Sequence, residues 1–250
     1  VIKHIIKDGM LIHEFEKDFE KDAKADRAYY EGLDNWDKDL KNDNAEVIKS
    51  LAEGSVIDLG CGGGRLLKEL KDASHKVFGI DINEIALEMC REKGVDARKA
   101  DLEKDKLPFD NDSFDNVTSV HALEHLSNPE KLLKEARRIA KKRVVILSPL
   151  GERMDPTHKQ EFKELEDFKK CFDDSWKIDK IKESNSAIAV LNIEDLKKAA
   201  LAPFGKFIPP KPTMAGLTEA FSVEEIWNWA KDKFPLDVEE KLNAFRFIME

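Results

Sequence analysis

The chain has 250 residues, a formal net charge of -9, 41% hydrophobic and 37% charged residues. That length suits one domain of about 150–200 residues with appendages, enough to bury a sizeable core. The acidic balance argues against a dedicated nucleic-acid binder, which is ordinarily basic, and no apolar run is long enough to span a bilayer. Cys61, Cys90 and Cys171 show no paired metal spacing. With no secretory leader in view, they read as free thiols of a reducing, cytoplasmic compartment.

Residues 1–10 are open between strand and loop, with Val1 to Ile6 strand-compatible. Leu11, Ile12, Phe15, Phe19 and Ala23 recur at three and four, which predicts an amphipathic helix. Tyr29-Tyr30-Glu31-Gly32 breaks that pattern. A second helix carries Trp36, Leu40, Val47, Ile48 and Leu51, with Asn42-Asp43-Asn44 as a point of interruption. The two helices read as a lid over residues 1–45.

From Val56 the pattern changes. Val56 to Leu59 is a short apolar run with β-branched residues and reads as a buried strand. Gly60, Gly62, Gly63 and Gly64 follow, and then Leu66, Leu67 and Leu70 at helical spacing. Strand, glycine turn and helix are joined with almost nothing between them. Such a turn needs φ > 0 and close backbone approach to a ligand, and the free N–H groups at the helix start favour an anionic group. Val77 to Ile80 predicts the next strand, ending in Asp81. That is about where a doubly wound nucleotide fold puts the acid that takes ribose hydroxyls. Helix over 84–93 with Gly94 as stop, strand over 95–100, strand over 114–120, helix from Pro129 to about 141 and strand over 144–147 continue the alternation. A helix around 162–172 and a hairpin of 176–181 with 187–191 close the sheet. The fold class is α/β, a doubly wound, mostly parallel sheet over residues 46–193. Pro203, Pro209, Pro210 and Pro212 mark residues 194–250 as a separate helical extension, with a capped helix start at Ser222.

Gly60-x-Gly62-x-Gly64 after Asp58 lacks the spacing of the dinucleotide fingerprint. It resembles the first motif of class I S-adenosylmethionine (AdoMet) methyltransferases, near the ubiquinone-pathway O-methyltransferases. The resemblance covers about residues 50–192 and implies a seven-stranded Rossmann-like sheet with AdoMet as cofactor. It further implies that Asp58 supports the turn and the methionine moiety, that Gly60, Gly62 and Gly64 pack on that moiety, and that Asp81 takes both ribose hydroxyls. Ile82 would pack on adenine, Asp101 would face the adenine amino group beside Leu102, and the strand from Phe114 would end at His121 next to the methyl. Apart from the resemblance, Tyr29 and Tyr30 are read either as reaching the AdoMet carboxylate from the lid, Tyr30 being the candidate, or as packing within the lid.

His121 and His158 are the candidate general bases for an acceptor that keeps its proton. His121 equally lines the pocket in a second reading. Two related subfamilies hold a divalent metal with a Glu-x-x-Glu-His segment and a later histidine or acid. Here His121 replaces the first Glu of that segment, and His158 is the later candidate. Glu124 and His125 therefore read either as metal ligands or as a structural hydrogen-bonding pair. The basic run from Lys131 to Arg143 is expected to be the solvated, dipole-complementing end of a helix. The expected activity is in-line methyl transfer to an O or N of a small or medium-sized acceptor. The alternatives are a metal-assisted RNA or catechol-like O-methyltransferase and a non-catalytic AdoMet-binding scaffold. A small-molecule partner fits better than nucleic acid, no membrane is expected, and a homodimer through the C-terminal extension is allowed.

Overall fold

The computed structural model describes residues 2–7, 10–15, 27–31, 38–151 and 157–196. The chain divides into two units, Val1–Ile193 and Glu194–Glu250, and the elements below belong to the first. The expectations for Trp36, Phe19 and Ala23, for the Ser222 helix and for a dimer contact in the extension fall outside the described residues.

The first pair of strands is β1 (Ile2–Lys7) and β2 (Met10–Phe15), antiparallel, with Ile5 opposite Ile12 and Lys7 opposite Met10. This corrects the helix expected from Leu11 onward. So short a stretch of three-to-four spacing also fits a strand. Asp8-Gly9 between two apolar runs is the stronger signal, because that pair suits a two-residue hairpin turn. A helical turn follows over 27–31. Helix α1 (Lys38–Ser50) then runs unbroken through Asn42-Asp43-Asn44, where an interruption was expected. Asp43 and Asn44 are both buried, and they stay helical because their side chains have partners inside. Asn44 Nδ2, for one, donates to Glu69 Oε1 at 3.1 Å.

The main sheet has seven strands in the order β5-β4-β3-β6-β7-β9-β8. Strands β3 (Ser55–Leu59), β4 (Lys76–Asp81), β5 (Ala97–Lys99), β6 (Phe114–Val120) and β7 (Ala140–Pro149) pair in parallel. Strands β8 (Lys177–Lys180) and β9 (Ser186–Asn192) close it antiparallel, β9 on β7 and β8 on β9. The expected mostly parallel sheet with a terminal hairpin is the one observed. Its middle is near-continuously apolar because both faces are covered: Val56, Ile57, Leu59, Val144, Val145, Ile146 and Leu147 have no exposed surface. Helix α2 (Arg65–Asp72) buries Leu66, Leu67 and Leu70. Helix α3 (Glu84–Glu92) starts at Asn83, whose side chain accepts from the Ile85 and Ala86 N–H groups. Helix α4 (Pro129–Ile139) begins with Pro129 behind an Asn128 cap.

Two boundaries differ from expectation. Helix α4 passes into β7 with no loop, so the strand starts at Ala140 rather than Val144. The polar residues there can join the sheet because neighbouring segments satisfy them. Lys142 pairs with Asp115 at 2.9 Å, and Arg143 donates to the Ser50 carbonyl at 2.6 Å. Helix α5 (Leu165–Lys169) is shorter than the 162–172 expected, because a capping box between Glu164 and Asp167 sets its start.

The chain leaves β3 through α2 toward β4 on one side and returns later to β6 on the other. The carboxyl ends of β3 and β6 therefore flank the topological switch point, where doubly wound sheets open a crevice.

Candidate functional site

Three glycines shape the turn after β3. Gly60 (φ 82°), Gly62 (φ 50°) and Gly64 (φ 76°) all sit in the left-handed region, which a side chain resists. Space also forbids one at Gly60, where a Cβ would lie 2.5 Å from the Ala122 Cβ. The turn is tied to the neighbouring strand: the Gly60 and Cys61 N–H groups both donate to the Ile80 carbonyl, at 2.8 and 2.9 Å. One residue on, the Gly62 N–H donates to Asp81 Oδ2 at 2.8 Å. Asp81 Oδ1 accepts from the Asn83 N–H at 2.9 Å. The structure thus brings Asp81 onto the glycine turn. Burial raises the Asp81 carboxyl above its ordinary value, against the lowering effect of those N–H donors. The Ile82 N–H is a third backbone donor to this carboxylate.

Ile82, the next residue, is 57% exposed; among the described residues it and Tyr29 are the exposed large hydrophobics. An apolar side chain held in the open beside a ligand-facing acid offers a flat-ring platform. Asp58 is 2% exposed at the end of β3 and accepts from the Thr118 hydroxyl at 2.7 Å. Burial pushes its carboxyl up to about 6; the Thr118 hydrogen bond works against that shift and the Asp81 charge adds to it. Leu102 approaches the turn, its Cδ1 lying 3.9 Å from where a Gly60 Cβ would stand. Asp101 beside it is committed locally, accepting from the Glu103 N–H at 2.9 Å and pairing with Lys104 at 2.9 Å. The Lys104 ammonium keeps the Asp101 carboxyl low. Tyr30 lies over the turn, with ring carbons 3.3 and 3.6 Å from a Cβ built on Gly62. Its helical turn is anchored by Arg27, which reaches both Glu92 oxygens at 2.8 and 3.0 Å.

The second half of the site is built from side chains. His121, at the end of β6, has a positive φ of 53°, uncommon for a residue with a Cβ. It is held there by Asp43 of α1, whose Oδ2 is 2.9 Å from His121 Nε2. Glu124 Oε1 lies 3.6 Å from the other ring nitrogen. Asp43 also accepts from the hydroxyls of Ser184 and Ser186, and Glu124 from that of Ser148 at 3.0 Å. Burial lowers the imidazole, but the Asp43 and Glu124 carboxylates outweigh it and raise His121 to about 9. At neutral pH it stands as an imidazolium between two carboxylates, with no lone pair to take a proton. Asp43, Ser148, Ser184 and Ser186 were not singled out from the sequence. A signal existed for Asp43 and Asn44, which occupy the apolar stripe between Leu40 and Val47 at three-to-four spacing.

His121 does not share a helical face with Glu124 and His125; only Leu123–His125 is helical, as a single 3-10 turn. Its neighbours do gather. Glu124, His125 and His158 each offer a ligand atom, and these atoms lie within 4.8 Å of one another. The His125 and His158 rings meet edge-to-face at 4.9 Å, and Thr157 Oγ1 is 3.1 Å from His125 Nδ1.

The basic run is occupied internally. Arg137 pairs with Asp173 at 2.6 Å and sits over the Trp176 ring at 5.4 Å. Arg138 pairs with Glu135 at 2.8 Å and donates to the Phe109 and Leu107 carbonyls. Lys134 pairs with Glu130 at 2.8 Å. No helix among the described residues is long and apolar enough to cross a membrane.

A family described as a methyltransferase domain matches residues 57–147. The ubiquinone biosynthesis O-methyltransferase of Methylococcus capsulatus is 35% identical over 97 residues, 37% of this chain and 41% of that protein. The chain thus spans about two-fifths of the length of such curated relatives. A chain of the complex between the Haloferax volcanii Trm112 methyltransferase activator and a putative methyltransferase superposes with a TM-score of 0.57 at 18% identity, covering 71% of this chain and 98% of that one. A Thermotoga maritima SAM-dependent methyltransferase, described as a possible histamine N-methyltransferase, gives a TM-score of 0.55 at 21% identity over 70% of this chain and 97% of that one. At those identities the structural likeness shows the fold.

Proposed function

We propose, from the methyltransferase-domain match over residues 57–147 and the geometry of the glycine turn, that the chain is a class I AdoMet-dependent methyltransferase that transfers the methyl of AdoMet to a hydroxyl of a small or medium-sized acceptor. One observation carries the reading: Asp81 grips the Gly62 amide while the apolar Ile82 beside it stays exposed. The residues fit the cofactor. A Cβ at Gly60 would collide with Ala122 and one at Gly62 would crowd the Tyr30 ring, and the Asp81 carboxylate would accept from the ribose hydroxyls, each charge-assisted bond worth about 1.5–3 kcal/mol. Ile82 and Leu102 would flank the adenine, and Asp58 would support the turn beneath the methionine end; Asp101 would reach the adenine amino group only by sharing oxygens already engaged by Glu103 and Lys104. Tyr30 would close over that end.

AdoMet supplies an electrophilic methyl on a good leaving group. The chain's share is to hold the acceptor oxygen in line and keep water out, for which positioning accounts for much of the rate. A hydroxyl acceptor must also lose its proton. Of the two histidines considered, His158 is assigned that role, because His121 is held as an imidazolium. His121 instead pins α1 to the end of β6 and so shapes the acceptor side. The choice of oxygen over nitrogen is supported by the O-methyltransferase named above.

A second reading has its own observation. The Glu124, His125 and His158 donors are close enough together to share a divalent cation, and nitrogen-plus-carboxylate sets suit such ions. That cation would hold the acceptor oxygen and lower its proton affinity. Incubation with methyl-labelled AdoMet and a panel of phenols and alcohols tests both. Labelled ether products are expected, and AdoMet bound but never consumed contradicts the transfer. Turnover that survives exhaustive chelation and fails in His158→Ala supports the base; turnover abolished by chelation supports the cation.

A further inference from the structure

The proposed chemistry leaves unused two thiols beneath the glycine turn. Cys61 is a member of the turn, and Cys90 lies on the buried face of α3. Their sulfurs are 3.9 Å apart. Both reach the carbonyl of Gly62, Cys90 at 3.2 Å and Cys61 at 3.6 Å. Gly62 is also the residue whose N–H donates to Asp81. Two other glycines stay small because of these sulfurs: a Cβ on Gly64 would come 2.7 Å from Cys90 Sγ, and one on Gly79 2.6 Å from Cys61 Sγ. The dithiol is therefore packed into the backbone that makes the adenosyl cradle. The contact with Cys90, together with burial, holds the Cys61 thiol well above its ordinary value; that same contact, helped by the Lys93 ammonium, lowers Cys90 against its own burial.

We propose that Cys61 and Cys90 are a modification site, forming a reversible disulfide under a peroxide oxidant, and that the bridge weakens adenosyl binding. The second half rests on the AdoMet reading above. Cys61, 8% exposed against 0% for Cys90, is the sulfur that peroxide meets first. The Cys90 sulfur, the lowered one of the pair, takes the Cys61 proton across the 3.9 Å contact; the Cys61 thiolate then attacks one peroxide oxygen, the O–O bond breaks, that proton passes to the leaving hydroxide, and a sulfenic acid and one water result. The Cys90 thiolate then attacks the sulfenic sulfur, the S–S bond forms, the S–O bond breaks, and a second water leaves. Two thiols lose two electrons and two protons, and the peroxide becomes two waters.

The structural consequence is specific. The sulfurs must close from 3.9 Å to about 2.05 Å, which draws α3 and the turn together. A disulfide carries no S–H, so the Gly62 carbonyl loses both sulfur donors. Gly62 is half-buried, and losing those donors favours a turn of its peptide toward solvent and away from Asp81.

The test begins with AdoMet calorimetry on the fully reduced full-length chain, then on the chain after peroxide treatment and removal of the peroxide. The expected result is a Cys61–Cys90 bridged peptide, loss of two hydrogens in intact mass, affinity lower by at least about tenfold, and recovery on reduction. Cys90→Ser keeps a hydroxyl for the Gly62 oxygen and cannot bridge, so peroxide is expected to leave its titration as it was before treatment. Cys171→Ser is expected to respond like the parent chain. Absence of the bridged peptide in protein that binds AdoMet when reduced overturns the proposal and spares the functional reading. A bridge that leaves affinity unaltered overturns the coupling. If the reduced chain takes no AdoMet, the functional reading fails, and the bridge is judged by the peptide map together with a peroxide-induced shift of the Gly62 amide resonance. An unmoved resonance then overturns it.

Discussion

The two halves of the site are made differently. On the β3–β4 side, backbone does the positioning: three left-handed glycines, two amides on the Ile80 carbonyl and one on Asp81. On the β6 side, side chains do it: Asp43, His121, Glu124 and three serines drawn from α1, the 3-10 turn, β7 and the β9 end. The first arrangement is rigid and local and fits a cofactor of fixed shape. The second depends on charges buried far apart in sequence, and lies partly outside the matched family segment of 57–147. It is the half free to differ between proteins that share a cofactor and not an acceptor.

Substitutions can break that comparison. The largest effect is expected at Asp43→Ala, which leaves His121 and the Ser184 and Ser186 hydroxyls without their shared acceptor. Removing one partner of a buried ion pair costs about 3–5 kcal/mol, read by urea denaturation. The division into halves predicts that AdoMet affinity moves by no more than about twofold in this variant, because the two networks share no partner. A large loss of affinity would merge them into one. Next comes Gly60→Ala. Left-handed strain and a Cβ 2.5 Å from the Ala122 side chain cost about 2–4 kcal/mol together, and here binding should fall with stability.

Alkaline pH sharpens the contrast. His121 is held at about 9, above its ordinary value of 6.5. The stability this supplies is present in full below 6.5 and is lost as pH rises through about 9. Melting of the parent chain should therefore decline between those values more than that of His121→Asn, a residue that tolerates positive φ. Identical declines would remove the charged histidine from the account. The smallest effect belongs to the exposed end of the basic run. Lys134→Ala breaks a solvated pair with Glu130 and should change stability by less than about 0.5 kcal/mol.

The same division explains what could be read from the chain. The β3 turn, Asp81 and the order of strands and helices were legible because each rests on neighbours in sequence: a glycine pattern, an apolar run, a proline at a helix start. The His121 network was not, since Asp43 and His121 are 78 residues apart and Asp43 and Ser186 are 143 apart. Periodicity misjudged Leu11 to Phe15, where Asp8-Gly9 was the better guide. Residue type misjudged Asn42-Asp43-Asn44, which looked like a helix break and instead lies on a continuous helix with Asp43 and Asn44 buried. Asp101 matched a motif by position, yet in the structure both its oxygens are engaged by residues just downstream, a local competition that spacing does not reveal.

The most direct measurement of the central claim is calorimetric titration of AdoMet into the reduced chain, into Asp81→Ala and into Gly62→Arg. The account predicts about micromolar binding to the parent chain, at least about a hundredfold weaker binding to Asp81→Ala as two charge-assisted bonds are lost, and none to Gly62→Arg. Equal binding by all three proteins, or no binding by the parent chain, would contradict it.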